Sequence, residues 1–289
     1  MFPFAALSSE MSAADLLQQV RWRNGLQCPR CRSSSVIKYG SYRAFQRYLC
    51  KDCDSMFNDK TRTIFALNEW FFAFYTFVRF NTSIGQLIAE LDLSSKTLHR
   101  RVERFTNALD APSIKLSGPV EIDELYVSAG LKGRERDEPS RSRGLSSRGR
   151  GTYEGDKPPV FTLVDRGSGK RYVVPAKSAD ESTVRLLLAG CEKEPLTVYT
   201  DGFRAYASLD DDERFHRESV IYADNKYVDG EAHVNTCESH GSLVRPWLSP
   251  HRGVSKDKLT HYLRAFQLRR QIYRKPGREA LRHVLREVL

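Results

Sequence analysis

The sequence predicts an α/β protein, a mixed sheet covered by helices, preceded by a small cysteine-held ribbon and a helical segment. Three observations carry that expectation. Residues 119–127 and 160–248 alternate short β-rich runs with helical ones, in the order strand, hairpin, helix, strand, helix, strand, helix. Residues 28–53 hold two C-x-x-C pairs. Residues 67–110 repeat apolar side chains at helical spacing. A chain of 289 residues suits two or three domains. The expected divisions are 1–66 for the ribbon, 67–112 for the helical segment, and 113–289 for the α/β core with its C-terminal helices.

Charge narrows the partners. Lys and Arg number 46 against 36 Asp and Glu, a net charge of +10, and the pI is about 9.3. That balance points to a polyanion, either nucleic acid or an anionic membrane surface. At 28% charged and 40% hydrophobic, the composition excludes collagen-like and wholly disordered chains. No apolar run reaches the roughly 18 residues of a membrane span. The nearest approach, Phe71–Phe80, has Glu69 before it and Arg79 within it. The N-terminus lacks a basic stretch followed by a long apolar one, so a cytoplasmic location without membrane contact is expected.

Cys28-Pro-Arg-Cys31 and Cys50-Lys-Asp-Cys53 are separated by eighteen residues. Each pair fits a tight turn that aims two thiolates at one ion, and two such turns supply the tetrahedral sulfur set that suits Zn²⁺. Between them, Val36–Tyr39 and Gln46–Leu49 read as strands bent at Gly40, which makes a zinc ribbon. Four protein ligands leave no open position for substrate, so the expected zinc is structural. Iron on the same thiolates and a redox dithiol are the rival readings; a redox pair would sit at a helix start in a βαβ context. Basic residues, Arg47 and Lys51 among them, interleave with Tyr39, Tyr42, Phe45 and Tyr48, as suits nucleic-acid contact.

Trp70–Phe80 reads as a buried helix. Ser83 and Gln86 form a capping-box pattern ahead of Ile84, Leu87, Ile88 and Leu91. After a short turn, Ser94 or Ser95 caps a second helix with Leu98, Val102 and Phe105 inward. Residues 83–106 are therefore a helix-turn-helix candidate, with Lys96, Arg100 and Arg101 as expected DNA contacts.

Val120–Val127 reads as a buried strand. Residues 132–157 hold eight Lys/Arg and five Asp/Glu among Ser and Gly. Such a stretch cannot bury a core, so a mobile loop is expected, either passive or an arm that grips phosphates. Val160–Val164 and Tyr172–Val174 flank Gly167-Ser168-Gly169 as a hairpin. Ser178 and Glu181 suggest a capping box ahead of Val184, Leu187 and Leu188. Leu196–Tyr199 and Ser219–Tyr222 read as short strands, and Asn235–Trp247 as helical. From Gly241 to Leu289 twelve Lys/Arg stand against three Asp/Glu, while Leu259, Tyr262, Leu263, Phe266 and Tyr273 recur at helical spacing. That pattern predicts helices packed on the core with a basic face outward.

Three carboxylates stand out by context. Asp123 lies inside the apolar strand Val120–Val127, where a carboxylate is costly unless paired or metal-bound. Alternation puts Glu121, Asp123 and Leu125 on one face and Ile122 and Glu124 on the other, so Glu121 is a rival and Glu124 a weaker one. Asp201 follows the strand Leu196–Tyr199, at the kind of strand end where α/β sites collect. Glu238 lies on the helix after the last strand. Together they could hold two Mg²⁺ or Mn²⁺ ions, hard cations that prefer oxygen and that act on phosphodiesters. His233 and His240 suit structural or DNA-contact roles better than catalysis, and Cys191 and Cys237 suit apolar packing.

These residues resemble a known family. Gln46-Arg47-Tyr48-Leu49-Cys50-Lys51-Asp52-Cys53 and Phe57-Asn58-Asp59 are similar to the N-terminal zinc ribbon of certain prokaryotic insertion-sequence transposases. Glu121-Ile122-Asp123-Glu124-Leu125-Tyr126, Tyr199-Thr200-Asp201-Gly202-Phe203-Arg204-Ala205-Tyr206 and His233-Val234-Asn235-Thr236-Cys237-Glu238-Ser239 resemble that family's three acidic motifs. The resemblance spans roughly residues 26–275 and implies a ribonuclease H-like core of the Asp-Asp-Glu type. Asp123, Asp201 and Glu238 would be its metal-binding catalytic residues. Arg245, seven positions after Glu238, would hold a DNA phosphate, and Asn235 is a rival third residue. It further implies metal-dependent cleavage at the element's terminal inverted repeats, strand transfer into target DNA, and a homo-oligomer on DNA. Pro246 should kink or end the helix just after Arg245. The rival functions are a zinc-ribbon DNA-binding regulator, which predicts the carboxylates apart, and a nuclease or resolvase on the same core.

Overall fold

The computed structural model describes residues 9–63, 68–109, 114–130, 150–191, 195–220 and 233–289. Of the expected loop 132–157, only 150–157 fall within them. The chain forms two compact units, one of residues up to 110 together with 268–289, the other of 111–267.

The first unit begins with α1 (Glu10–Arg21), capped by the Ser9 hydroxyl, which accepts from the Ser12 N–H at 3.1 Å. The ribbon follows as an antiparallel sheet in the order β1 (Val36–Tyr42), β2 (Phe45–Cys50), β3 (Met56–Asn58). The bend expected at Gly40 is present: its φ is +77°, and the β1–β2 register shifts between Lys38 and Ser41. α1 docks on the ribbon through Trp22 and Gln18. Trp22 Nε1 donates to the buried Asp59 carboxylate at 2.7 Å, and Gln18 Nε2 donates to the Tyr48 hydroxyl at 2.7 Å.

α2 (Asn68–Phe80), α3 (Ile84–Leu91) and α4 (Ser95–Ala108) complete the N-terminal part of this unit. The Ser83/Gln86 capping box forms in both directions, and Asp92 ends α3 in the left-handed region at φ +49°. The Ser94 hydroxyl caps α4, so the α3–turn–α4 pair is the expected helix-turn-helix motif. Phe105 of α4 stacks on Phe74 of α2 with centroids 4.1 Å apart.

The expected 113–289 division is corrected at its C-terminal end. α8 (Leu259–Ile272) ends in the first unit, and α9 (Gly277–Arg286) packs there against α1 and α2. One tie is a side chain 193–196 residues away in sequence. Arg79, at the end of α2, donates to the carbonyls of Ile272, Tyr273 and Lys275, which the end of α8 leaves without helical partners. An amphipathic pattern shows that a helix has an apolar face, but not which surface receives it.

The second unit is built on a five-stranded mixed sheet. Its strands are β4 (Val120–Tyr126), β6 (Pro159–Asp165), β7 (Arg171–Pro175), β8 (Leu196–Asp201) and β9 (Phe215–Val220), while β5 (Ala129–Gly130) pairs elsewhere. The order is β7-β6-β4-β8-β9, with β7, β6 and β4 antiparallel and β4, β8 and β9 parallel. This is the ribonuclease H-like mixed-sheet class expected above. The hairpin forms as expected. β9 begins earlier than expected, and residues 221–222 lie outside the described set.

α5 (Glu181–Leu188) covers one sheet face, burying Val184, Leu187 and Leu188 against Ile122, Phe161, Leu163 and Val198. Each fully buried side chain of this kind contributes roughly 1.5–3 kcal/mol. Its cap is Asp180, not Ser178, because the Asp180 carboxylate reaches the Thr183 N–H at 2.9 Å. α6 (Asn235–Gly241) covers the other face with Val234 and Cys237 against Val164 and Tyr199. α7 (Val244–Leu248) follows. The break between α6 and α7 falls at Ser242–Leu243, before Arg245 and not after it. Pro246 has no N–H for the Ser242 carbonyl and its ring crowds that oxygen. No helix among the described residues is long and apolar enough to cross a membrane.

Candidate active site and zinc ribbon

In the ribbon the two cysteine turns are built alike. The Cys28 N–H donates to Ser33 O and the Cys50 N–H to Ser55 O, while Arg32 and Asp54, each four residues past its turn's first cysteine, have φ of +63° and +51°. The Cys28 and Cys53 sulfurs are 3.6 Å apart, as are those of Cys31 and Cys50, and all four lie within 4.8 Å of one another. Zn–S bonds of about 2.3 Å in a tetrahedron require sulfurs about 3.8 Å apart, so the set fits zinc. Hydrogen bonds from Ser55 lower the Cys53 thiol, while the neighbouring sulfurs raise that of Cys31, as four thiols crowded without a cation must.

In the second unit the sheet register places the acidic residues. β4 and β8 pair in parallel with Val120 opposite Val198 and Glu121 opposite Tyr199. The same offset carries Asp123 level with Asp201. The β4–β8 ladder stops two residues short of them, while β4 stays paired to β6 through Tyr126 and β8 to β9 through Asp201. Oxygens of Asp123, Glu124 and Asp201 lie within 4.8 Å of one another. The regulator reading, which needs Asp123 and Asp201 apart, loses its footing here.

Glu238, exposed on α6, lies outside that group of oxygens. It lines one cavity of about 980 Å³ with Asp123 and Glu124, and its charge acts on Asp123. α6 lies close on the sheet because the Cys237 thiol donates to Glu121 O and Thr162 O at 3.1 and 3.3 Å, and because Gly241 has no side chain. A Cβ there would stand 3.2 Å from Leu125 Cδ2 and 3.5 Å from Thr162 Cγ2. Gly241→Val is therefore expected to lift α6, cost about 1–3 kcal/mol and displace Glu238. Thermal melting and a cleavage assay check this; unchanged values in both would show that the close approach does not position the carboxylate.

Like charges and burial raise these acids. Burial first, then Glu124, Asp201 and Glu238, push Asp123 to about 7. Glu124 also rises to about 7, mainly by burial, with Asp201 adding to it while the Tyr206 hydrogen bond and Arg150 oppose it. Tyr206, fully buried, donates to Glu124 Oε2 at 2.9 Å, and its own ionisation is pushed well above 10 by burial and by Glu124. Asp201 Oδ1 accepts from the Phe203 N–H at 2.9 Å.

The rivals separate cleanly. Glu121 is fully buried, but it is occupied by Arg166 Nε at 2.9 Å and by the N–H groups of Thr236 and Cys237 at 2.9 and 3.0 Å, at the start of α6. It anchors the helix that carries Glu238. Asn235 is exposed and does not line the cavity. His233 contacts Arg166 beside Glu121, and His240 is buried near Phe266.

Arg245 is exposed at the cavity and donates to Tyr126 O at 3.1 Å. Lys96 and Arg100 are exposed on α4, four residues apart on one face. Arg101 is half-buried instead, pairing with Glu69 at 3.2 Å and lying over Trp70. Lys51 is exposed, and Arg47 lies over Tyr39. The sequence reading did not single out Tyr206, Arg150 or Lys157. The last two lie in the basic stretch after β5, whose composition was their only signal.

Residues 115–271 match the ISXO2-like transposase domain, and residues 8–55 the transposase zinc-ribbon domain. The class is thereby defined as a transposase, an enzyme of nucleotidyl transfer. More particularly, the chain belongs to the ISXO2-like transposase family, whose domain takes up more than half of its length. It is 66% identical over 294 residues, with all of both chains covered, to an uncharacterized protein in the transposable element ISH50 of Halobacterium salinarum. Two solved structures are distantly similar. The simian T-cell lymphotropic virus intasome in complex with PP2A regulatory subunit B56 gamma matches at 11% identity and TM-score 0.33, over 71% of this chain and 73% of that one. A pre-cleavage Mos1 transpososome matches at 12% identity and TM-score 0.23, over 66% and 72%.

Proposed function

We propose that this chain cuts DNA strands at the ends of an insertion sequence and joins the freed 3′ ends to target DNA, using divalent cations held by Asp123, Asp201 and Glu238. The observation that carries this is the meeting of Asp123, in the middle of β4, with Asp201, at the end of the adjacent parallel β8, while Glu238 on α6 lines a cavity with Asp123. Mg²⁺ or Mn²⁺ ions, when bound, supply activation of the attacking oxygen and stabilisation of the leaving one. The protein's own groups do the rest. Tyr206 holds Glu124 beside Asp123, Glu121 fixes the start of α6, and Arg245 holds a backbone phosphate at the cavity. Lys96 and Arg100 on α4, with Arg47 and Lys51 on the ribbon, contact the terminal repeats. Arg101, tied to Glu69, steadies α4. Cutting two ends together calls for at least two protomers, and the place of action is the cytoplasm, where the DNA is.

Asp123→Ala, Asp201→Ala and Glu238→Ala test the reading in a strand-cleavage assay with Mg²⁺, with binding to end DNA measured alongside. Lost cleavage with retained binding is the expected result. Retained cleavage in any of the three removes that residue from the site. A pre-cut end that the wild type cannot join, although it cuts intact ends, would make the chain a nuclease.

A further inference from the structure

The cavity beside the carboxylates has walls that strand cleavage alone does not call for. It is half open to solvent, with a volume of about 980 Å³. Asp123 and Glu238 line one part of it. Arg150 and Lys157 reach it from one stretch of chain and Arg245 from another, and Leu125 and Leu248, beside the nearly buried Val127 and Val254, add an apolar wall. The surrounding segments are fastened to one another. β5 pairs in parallel with β10 (Val254–Ser255), and Lys256 donates to Tyr153 O at 2.9 Å and pairs with Asp156 at 3.5 Å.

Phosphate binding explains the cations and leaves the apolar wall unexplained. A paired duplex turns sugar and phosphate outward and keeps its bases stacked inside. A base meets an apolar wall only after it leaves the stack. Cavities of roughly 300–1,000 Å³ bury ligands of about the size of one nucleotide.

We infer that this cavity seats a single unpaired nucleotide of the DNA strand being cut, its base on the apolar wall and its flanking phosphates on Arg150, Lys157 and Arg245. The inference rests on the strand-cleaving function proposed above. Arg150 is placed for an exchange of partners. Its ion pair with Glu124 is 3.6 Å long and its side chain is 58% exposed, so the pair is weak and yields to a phosphate. Its guanidinium lies 3.9 Å from the centre of the Phe203 ring, which keeps it at the cavity when that pair opens. Arg245 spends one of its five donors on Tyr126 O.

The test uses the full-length, zinc-loaded protein without Mg²⁺ and end-DNA duplexes with 2-aminopurine at successive positions around the cleavage site. On binding, one position is expected to brighten at least about threefold, as an unstacked base does. Ser249→Trp, a substitution at an exposed residue lining the cavity, should bind the same DNA without that brightening. Arg150→Ala should weaken binding and flatten its salt dependence by about one unit of slope. The inference is overturned if bound DNA brightens at no position, if Ser249→Trp brightens like the wild type, or if Arg150→Ala leaves the slope unchanged. Cutting of the same duplexes once Mg²⁺ is added reads the proposed function separately. DNA that is cut but never brightens removes the nucleotide seat and leaves the function standing.

Discussion

Asp123→Asn is expected to reduce strand cleavage by more than ~100-fold, beyond what loss of an outer-sphere partner costs, and yet to make the metal-free protein more stable at pH 8. Both effects come from one cause. Burial and three neighbouring carboxylates raise Asp123 from an ordinary 3.8 to about 7, and Glu124 rises from 4.5 to about 7. A carboxyl group whose folded value lies above its unfolded one stabilises the fold most when protonated. Its contribution is complete below about pH 4 and is lost as the pH climbs through 7. At pH 8 the empty site therefore holds charges that repel one another, and the amide removes one of them. Relaxation around the site keeps the gain to ~1–2 kcal/mol, or about 2–8 °C in melting temperature at 2–4 °C per kcal/mol.

The difference between wild type and variant should shrink toward zero as the pH falls to 4, where both side chains are neutral. Added Mg²⁺ should raise the wild-type melting temperature and bring the variant less, because only the wild type keeps the full charge that a cation neutralises. Wild-type cleavage should fall as the pH drops below 7, since protons then compete for the same oxygens. Thermal melts across pH 4–8, with and without Mg²⁺, decide the matter. A variant that is less stable than wild type at pH 8 would mean that the carboxylates do not repel and that the cluster is held by contacts other than a cation.

The sequence made the local parts legible. Ser83, Gln86 and Ser94 announce two helix starts through side chains that act within three residues. The β6–β7 hairpin follows from its Gly-Ser-Gly turn, and Asp123 shows itself as a carboxylate in an apolar strand. Where the sequence leaves rivals, a distant partner decides. Glu121 and Asp123 share a strand face by alternation, and nothing nearby says which is free to hold a cation. Arg166 settles it from a turn 45 residues on, with the backbone of α6 at 115–116 residues. Alternation puts Glu124 on the opposite face with Ile122, and there it stands: β4 stays paired to β6 through Tyr126, and Glu124 meets Tyr206 of the core cluster that holds Ile122.

Cys50→Ser is expected to release the zinc and unfold the ribbon, the largest stability effect any single substitution should have in the first unit. Structural zinc in zinc-finger peptides supplies an apparent 10–16 kcal/mol or so, as much as a whole domain's usual margin of about 5–15 kcal/mol. The ribbon has little else to offer. Its buried cluster comprises Cys28, Tyr48, Cys50 and Phe57, two of which are metal ligands themselves. The loss should spread to α1, whose Trp22 and Gln18 bond to Asp59 and Tyr48 of the ribbon. Trp22 fluorescence should then shift as its edge-on contacts with Tyr48 and Phe57 dissolve. Cys191→Ser is the matched control, since Cys191 stands outside the sulfur cluster and packs against the core of the second unit. It should keep one zinc per chain and leave the Trp22 signal unchanged. The second unit has its own core on its own sheet, so Cys50→Ser should spare the carboxylate site while removing recognition of the element's ends. Measured zinc content, Trp22 emission and binding to end DNA against unrelated DNA give three independent readings. One zinc per chain in Cys50→Ser, with unshifted emission, would mean that the four thiolates are not the structural ligands of this module.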